Sequence, residues 1–265
     1  MEYGIGSLSV IPLRGEPSER AEMVSQLLFG DLYTVIEKRD DWMKIRTCDC
    51  GYEGWIGTRS FSPMHKTEAE IYYDHSHYLV QDLLFFIRNF ENGITFPVFI
   101  GSSFPYPQNN LLILGDQIFE ITLPEASPSK EHGDLSPEQY TLLRFVSSFL
   151  QAPYLWGGRT PAGIDCSGLV QLAFKSAGIR LPRDASQQVF CGRPVDFIEE
   201  TLPGDVAFFQ NENGDIVHTG IVTAKGQIIH ASGFVRMDSL DSTGIYNRKL
   251  GKYTHYLRVI KRLLQ

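Results

Sequence analysis

The periodicity of the sequence changes near residues 127–134, and this change constrains the fold more than any other feature. Before it, short runs of alternating apolar and polar residues, such as Leu32–Glu37 and Trp42–Arg46, are separated by turns. Strands this short are typical of small β-barrels. We therefore expect one barrel over residues 1–64, and a second barrel with its linker over residues 65–134.

After this change the pattern indicates two helices and then a sheet. Ser136 is a suitable N-cap for a helix that begins at Pro137. A second helix is predicted from Cys166 to Ala177, because its apolar residues recur at helical spacing. Strand-like segments follow between residues 205 and 262. A helical block before an antiparallel sheet predicts an α+β domain over residues 135–265.

Charge and composition limit the possible partners. The chain of 265 residues has a net charge of −7, which disfavours nucleic acid or an anionic membrane as a partner. The sequence shows no apolar run near the roughly 18 residues of a membrane span, and its first residues lack the pattern of a signal peptide. We therefore expect a cytoplasmic protein if Met1 is the native start, and an exported one otherwise.

The four cysteines are too few for a disulfide framework in a chain of this length. Cys48 and Cys50 form a C-x-C pair, but no second Cys or His pair follows at ligand spacing. The tip of a hairpin is therefore a better interpretation of this pair than a metal site. We expect neither a metal nor a cofactor, and we expect a monomer.

Cys166 is the candidate nucleophile because it lies at the predicted start of the second helix, with Asp165 as N-cap. A free thiol has a pKa near about 8.5, and both a helix N-terminus and a neighbouring imidazolium lower it. The same helix start can donate backbone N–H groups to an oxyanion. We therefore expect a thiolate with a pKa below about 7. Taken alone, however, the helix position equally suits a small buried cysteine.

His218 and His230 lie on two consecutive predicted strands and are the candidate base and its orienting partner. A three-residue hairpin loop at 224–226 would pair Gly220 with His230. The two imidazoles would then lie on one face of the sheet as diagonal neighbours. A second polar group beside a base fixes its tautomer and orientation. The alternative is two unrelated half-buried histidines, since a two-residue loop would place them on opposite faces.

Several short motifs of the C-terminal part occur together: P-Y-L-W-G-G at 153–158, D-C-S-G at 165–168, H-T-G-I at 218–221 and H-A-S at 230–232. This combination resembles the NlpC family of cell-wall cysteine peptidases over residues 136–265. The resemblance implies a papain-like fold, with Cys166 as nucleophile, His218 as general base and His230 as the third polar residue. It also implies that the Tyr154 hydroxyl contributes to the oxyanion site.

The N-terminal part resembles the bacterial SH3-like domains attached to cell-wall enzymes: Q-L-L-F-G-D at 26–31, D-W-M-K-I-R at 41–46 and G-Y-E-G-W-I at 51–56. The order barrel, barrel, peptidase is similar to a group that recycles murein tripeptides and tetrapeptides. These enzymes cut the γ-D-glutamyl–L-diamino acid bond of peptides with a free N-terminal L-Ala.

That resemblance implies a pocket for the substrate that is closed at the L-Ala end. The matching substrate-binding positions in this chain are Glu22, Tyr52, Trp156, Asp165, Ser167 and Asp184. A free ammonium group in a closed pocket needs a carboxylate and other hydrogen-bond acceptors, which these residues provide. Ala185 is a departure, because many relatives have Ser there, and it puts one contact with the D-Glu carboxylate in doubt.

Three other functions stay open on the sequence. The first is a wall-remodelling peptidoglycan endopeptidase with an open groove. The second is a related amidase or acyltransferase that uses the same cysteine and histidine. The third is a cell-wall binding protein with an inactive peptidase domain, although the intact Cys166, His218 and His230 argue against it.

Overall fold

A computed structural model describes residues 2–124 and 134–264. The chain divides into two compact units, Met1–Ser129 and Lys130–Gln265. The linker predicted at 127–134 lies, apart from Asp134, outside the described residues. Of the helices in the part of the chain that the structure describes, none is long and apolar enough to cross a membrane.

The first unit begins with a seven-stranded antiparallel sheet in the order β3-β2-β6-β5-β4-β1-β7. Its strands are β1 (Glu2–Ile5), β2 (Val10–Arg14), β3 (Met23–Leu28), β4 (Leu32–Arg39), β5 (Trp42–Thr47), β6 (Glu53–Gly57) and β7 (Pro63–Met64). A 3-10 turn, Thr58–Ser60, follows β6. The strands predicted at 32–37 and 42–46 are confirmed as β4 and β5. Their inward side chains include Tyr33 and Ile45, both fully buried.

The rest of this unit is a four-stranded sheet in the order β10-β9-β13-β12 and a two-stranded ribbon, β11-β8. The elements are α1 (Lys66–Asp74), β8 (His77–Leu79), β9 (Leu84–Asn89), β10 (Thr95–Phe99), β11 (Ser103–Pro105), β12 (Leu111–Leu114) and β13 (Gln117–Glu120). The sequence did not indicate α1, whose N-cap is His65 rather than Ser, Thr, Asp or Asn. Phe29 packs edge-on against Phe104 and Phe119, so both parts share one core.

The second unit places helices before a closed barrel. The elements are α2 (Pro137–Ser147), β14 (Arg159–Thr160), β15 (Gly163–Ile164), α3 (Cys166–Ser176), α4 (Ala185–Gln188), β16 (Arg193–Val195), a 3-10 turn (Ile198–Glu200), β17 (Val206–Gln210), β18 (Ile216–Ala224), β19 (Gln227–Ser232), β20 (Phe234–Leu240), β21 (Gly244–Asn247) and β22 (Lys252–Arg262). Strands β17 to β22 pair in sequence, and β22 pairs with both β17 and β21, which closes a six-stranded barrel. The predicted α+β class is confirmed.

Both predicted helix starts are confirmed by their capping contacts. The Ser136 hydroxyl accepts from the Gln139 backbone N–H at 3.2 Å, and the Gln139 side chain accepts from the Ser136 backbone N–H at 2.9 Å. At α3, the Asp165 carboxylate accepts from the Gly168 backbone N–H at 2.7 Å. Helix α3 therefore begins at Cys166, as predicted.

The hairpin β18–β19 pairs Gly220 with His230, as predicted, although its loop is shorter than predicted. Ala224 lies opposite Gln227, so the loop has two residues rather than the expected three. A register shift between Val222 and Ala224 leaves an extra residue in β18. This β-bulge compensates for the shorter loop, because it returns the strand to the predicted register. A Cβ at Gly220 would lie 2.8 Å from the Cβ of His230, so a glycine is needed there.

Candidate active site

Cys166 is buried at the first position of α3, with 7% of its surface exposed. The N-cap carboxylate of Asp165 fixes this helix start, because it accepts from the Gly168 N–H and, at 2.8 Å, from the Gly157 N–H. The backbone N–H of Thr219 donates to the Cys166 sulfur. Helix α3 packs against β18. The fold therefore places the predicted nucleophile against β18, the strand that carries His218 next to Thr219.

A chain of hydrogen bonds leads from His218 away from the cysteine. The Nε2 atom of His218 lies 2.8 Å from Nδ1 of His230. The Nε2 atom of His230 in turn lies 3.1 Å from a carboxylate oxygen of Asp238. The Asp238 carboxylate also accepts from Arg236 at 2.9 Å. The side chains of His218, His230 and Asp238 are all buried, so these contacts are held in place.

This chain determines which nitrogen of His218 can act as a base. Burial raises the pKa of Asp238, but the hydrogen bonds from His230 and Arg236 outweigh it and hold the pKa below its usual value. The ionised carboxylate accepts the Nε2–H of His230, whose Nδ1 must then accept the Nε2–H of His218. The Nδ1 lone pair of His218 is left for the thiol of Cys166.

The expected thiolate is not what burial favours. Burial raises the pKa of the Cys166 thiol to about 12, and the Asp165 charge adds to this, although the Thr219 N–H and Arg183 act in the opposite direction. Burial also lowers the pKa of His218 well below its usual value, as do the nearby His255 and His230. Burial thus favours a thiol and a neutral imidazole in the resting pair.

Arg183 is a site residue that the sequence analysis missed. Its guanidinium donates to both carboxylate oxygens of Asp165, at 3.0 and 2.5 Å, and to the Ser167 hydroxyl at 2.9 Å. The side chains of Arg183 and Asp165 are 2% and 8% exposed. The available signal was an arginine directly before Asp184 in L-P-R-D. Two predicted substrate-binding residues, Asp165 and Ser167, are therefore part of a buried ionic network.

The other predicted site residues of this unit lie in different environments. Tyr154 is half-buried, and burial raises the pKa of its phenol to about 12, with further contributions from Cys166 and Asp165. The phenol is therefore protonated and able to donate. Trp156 is 59% exposed, and Asp184 is the half-buried N-cap residue of α4.

Of the two predicted substrate-binding residues in the first unit, one lies at the surface and the other at the edge of the core. Glu22 is exposed in the turn before β3. Tyr52 is half-buried before β6 and packs against the core of the seven-stranded sheet. Their contact with a substrate stays a prediction.

His255, on β22, is a third histidine of the centre that the sequence analysis did not identify. Its ring stacks on His218, with centroids 4.1 Å apart and planes inclined by 24°. Burial lowers the pKa of His255 to about 4, His230 lowers it further and Asp238 raises it. Possible ligand atoms of His218, His230 and His255 all lie within 4.8 Å of one another, the only such group found in residues 2–124 and 134–264.

Comparisons with known proteins agree with this arrangement. Residues 151–254 match the NlpC/P60 family, and residues 13–61 match the bacterial dipeptidyl-peptidase Sh3 domain. A protein named gamma-D-glutamyl-L-lysine dipeptidyl-peptidase from Bacillus subtilis (strain 168) is 26% identical over 221 residues, which are 78% of this chain and 71% of the relative. A probable endopeptidase of Mycobacterium tuberculosis (strain ATCC 25618 / H37Rv) is 38% identical over 131 residues, which are 48% of this chain. The chain spans 32% of that relative's length.

A solved structure supports the fold. An NlpC/P60 family protein from Bacillus cereus ATCC 10987 has a TM-score of 0.83 at 21% identity, over 99% of this chain and 100% of that one. The hydrogen-bonded chain His218–His230–Asp238 is called the relay below. A cysteine buried at a helix start, together with this relay on a barrel, defines a papain-like class of domain. The chain carries an NlpC/P60 domain preceded by a bacterial dipeptidyl-peptidase SH3 domain. The predicted family and fold are thereby confirmed.

Proposed function

We propose that the protein is a cysteine endopeptidase that hydrolyses the γ-D-glutamyl–L-diamino acid bond of murein peptides with a free N-terminal L-Ala. The observation that carries the proposal is the chain of hydrogen bonds from Asp238 through His230 to His218, beside Cys166. Support for the substrate comes from the Bacillus subtilis relative, which is aligned over most of both chains.

The geometry supports a mechanism in which proton transfer accompanies attack. Nδ1 of His218 takes the proton of Cys166 as the sulfur attacks the carbonyl carbon of the γ-glutamyl bond. The N-terminal end of α3 and the protonated phenol of Tyr154 provide donors for the developing oxyanion. His218 then gives its proton to the leaving amine, which leaves a thioester. Water attacks the thioester, again with His218 as base, and restores the thiol.

In this proposal the free ammonium of L-Ala is held by polar groups of a closed pocket. Trp156 and Asp184 supply polar groups in the peptidase domain, and the resemblance to the recycling enzymes assigns Glu22 and Tyr52 to substrate binding as well. Asp165 and Ser167 add acceptors through the network that Arg183 holds. The proposed setting is recycling of murein tripeptides and tetrapeptides in the cytoplasm.

The test of the reaction is digestion of L-Ala-γ-D-Glu-L-Lys, followed by mass spectrometry. We expect the wild-type protein to release L-Ala-γ-D-Glu and lysine, and Cys166→Ala to release neither. A different product, or hydrolysis by Cys166→Ala at the wild-type rate, would contradict the proposal.

The test of the closed pocket is a double cycle that combines N-acetylation of the peptide with Glu22→Gln. Loss of one partner of a buried charged hydrogen bond costs about 2–5 kcal/mol, or roughly 30- to 5,000-fold in kcat/KM. Each change alone should reduce kcat/KM, and both together should cost much less than the product of the two. Glu16→Gln is the matched control, an exposed acid of the same turn region. Equal cleavage of the free and acetylated peptides would instead indicate an open-groove endopeptidase.

A further inference from the structure

Three imidazoles converge at the candidate active site from three strands of the barrel. His218 lies on β18, His230 on β19 and His255 on β22. Possible ligand atoms of all three lie within 4.8 Å of one another. Around one tetrahedral Zn²⁺ with metal–nitrogen distances of about 2.1 Å, the nitrogens lie roughly 3.4 Å apart. This spacing falls between the 2.8 Å that separates the nitrogens of His218 and His230 and the 4.8 Å limit for all three residues.

The hydrogen bonds to the ring nitrogens that face away from the proposed ion also favour a metal. The Asp238 carboxylate takes the Nε2–H of His230 at 3.1 Å, and Arg236 holds this carboxylate in place. This directs Nδ1 of His230 toward the other two imidazoles. A carboxylate that orients the far side of a histidine is the usual outer contact of a zinc ligand. On the third ring, the Thr254 hydroxyl lies 2.9 Å from Nδ1 of His255 and leaves Nε2 available.

We propose that His218, His230 and His255 form a binding site for Zn²⁺, and that the bound ion inhibits the peptidase. The binding stands on the geometry of the histidines, and only the inhibition rests on the proposed function. The ion takes the place between His218 and His230, whose nitrogens are now 2.8 Å apart. The proton on Nε2 of His218 moves to Nδ1, so no proton is gained or lost by that ring. His218 then faces Cys166 with an N–H and no longer accepts the thiol proton.

Binding requires two local rearrangements. Nε2 of His218 and Nδ1 of His230 separate from 2.8 Å to about 3.4 Å, and the ring of His255 rotates. The rings of His218 and His255 stack nearly parallel, and two parallel rings do not aim their in-plane lone pairs at one ion. His255 is the half-buried member of the three, whereas His218 and His230 are buried and tied by the relay. Rotation of the His255 ring therefore opens the stack. A water molecule completes the four-coordinate site.

The experiment is a titration of the full chain with Co²⁺, followed by its visible absorption, and then displacement of Co²⁺ by Zn²⁺. We expect one ion per chain in the wild-type protein and in His75→Gln. His75 is the matched control, because it is an exposed histidine of the first unit. His255→Gln should weaken binding by at least roughly tenfold. Because Cys166 faces the opposite edge of His218, the spectrum should show no sulfur-to-cobalt charge-transfer band, and Cys166→Ala should bind Co²⁺ as the wild type does.

Activity provides a separate readout. Zn²⁺ should inhibit hydrolysis of the tripeptide, and a chelator should restore it. The proposal is overturned if His255→Gln binds Co²⁺ as tightly as the wild type, since the ion would then not need the third histidine. If His255→Gln does not fold, His255→Phe keeps the stacked ring and removes the ligand, with the same expected result. Failure of the chelated wild type to cut any peptide would contradict the proposed function, while the cobalt titration would still decide the metal site.

Discussion

Replacement of His230 tests the hydrogen-bond relay most directly. In the structure its Nδ1 accepts the Nε2–H of His218 at 2.8 Å in a buried setting. His230→Ala leaves that buried N–H without its partner, which costs about 1–3 kcal/mol. If the loss falls on the transition state, kcat decreases by about 5- to 150-fold. KM should change little, because His230 acts through His218 rather than on the substrate.

The choice of replacement sharpens this prediction. In His230→Asn the side-chain oxygen occupies the δ position, as Nδ1 does in histidine, and can accept from His218 at similar geometry. In His230→Gln the oxygen lies one bond further out. We therefore expect kcat to fall in the order wild type, Asn, Gln, Ala. The same kind of histidine–asparagine pairing supports cysteine catalysis in papain-like enzymes.

The assay is steady-state cleavage of L-Ala-γ-D-Glu-L-Lys, with the thermal unfolding midpoint of each variant measured in parallel. His75→Asn is the control for the loss of an imidazole away from the relay. The relay would be refuted if His230→Ala kept the wild-type kcat, or if Asn were no better than Ala while both remained folded.

Four further outcomes are expected. Cys166→Ser, like Cys166→Ala, should abolish hydrolysis while the protein stays folded, because a hydroxyl is far harder to activate; product analysis checks this, and hydrolysis by the Ser variant would contradict it. The ultraviolet difference spectrum between wild type and Cys166→Ala should lack a thiolate band at neutral pH, since burial raises the thiol pKa to about 12. Activity should persist from about pH 7 to pH 5, because the lowered pKa of His218 keeps the base neutral in that window; a decline centred near pH 6.5 would show an unshifted histidine. Arg183→Ala should destabilise the fold by about 3–5 kcal/mol, as urea unfolding would show, whereas replacement of the exposed Arg193 by Ala should have little effect.

The features that could be predicted from sequence are those set by nearby residues. Ser136 and Asp165 identify the starts of α2 and α3 because an N-cap acts on the next three residues. The face shared by His218 and His230 was also predicted, although the bulge that produces it was not. A bulge depends on how β18 fits its neighbours, and no residue type near Thr223 marks it. Local patterns therefore predicted the correct register of β18 and β19, but not the combination of loop length and bulge that produces it.

The residues that were missed depend on closure of the barrel. His255 reaches His218 because β17 lies between β18 and β22, with Phe209 opposite both His218 and Leu257. Asp238 reaches His230 because β20 pairs with β19 and places the two side chains diagonally on one face. Neither contact can be read from spacing alone, since each needs the order of the strands in the barrel. Arg183 is similar, because its partner Asp165 begins a different helix.

The ionisation of Cys166 shows how burial can oppose a correct local rule. The helix start is visible in the sequence and favours a thiolate, whereas burial becomes visible only when β18 covers the sulfur. With a neutral thiol at rest, the attacking sulfur must lose its proton during the reaction, so the free lone pair of His218 must face it beforehand. Asp238 and His230 secure this by fixing the tautomer. The relay therefore matters more here than in an enzyme whose cysteine is already ionised, and a modest change at His230 should be seen in kcat.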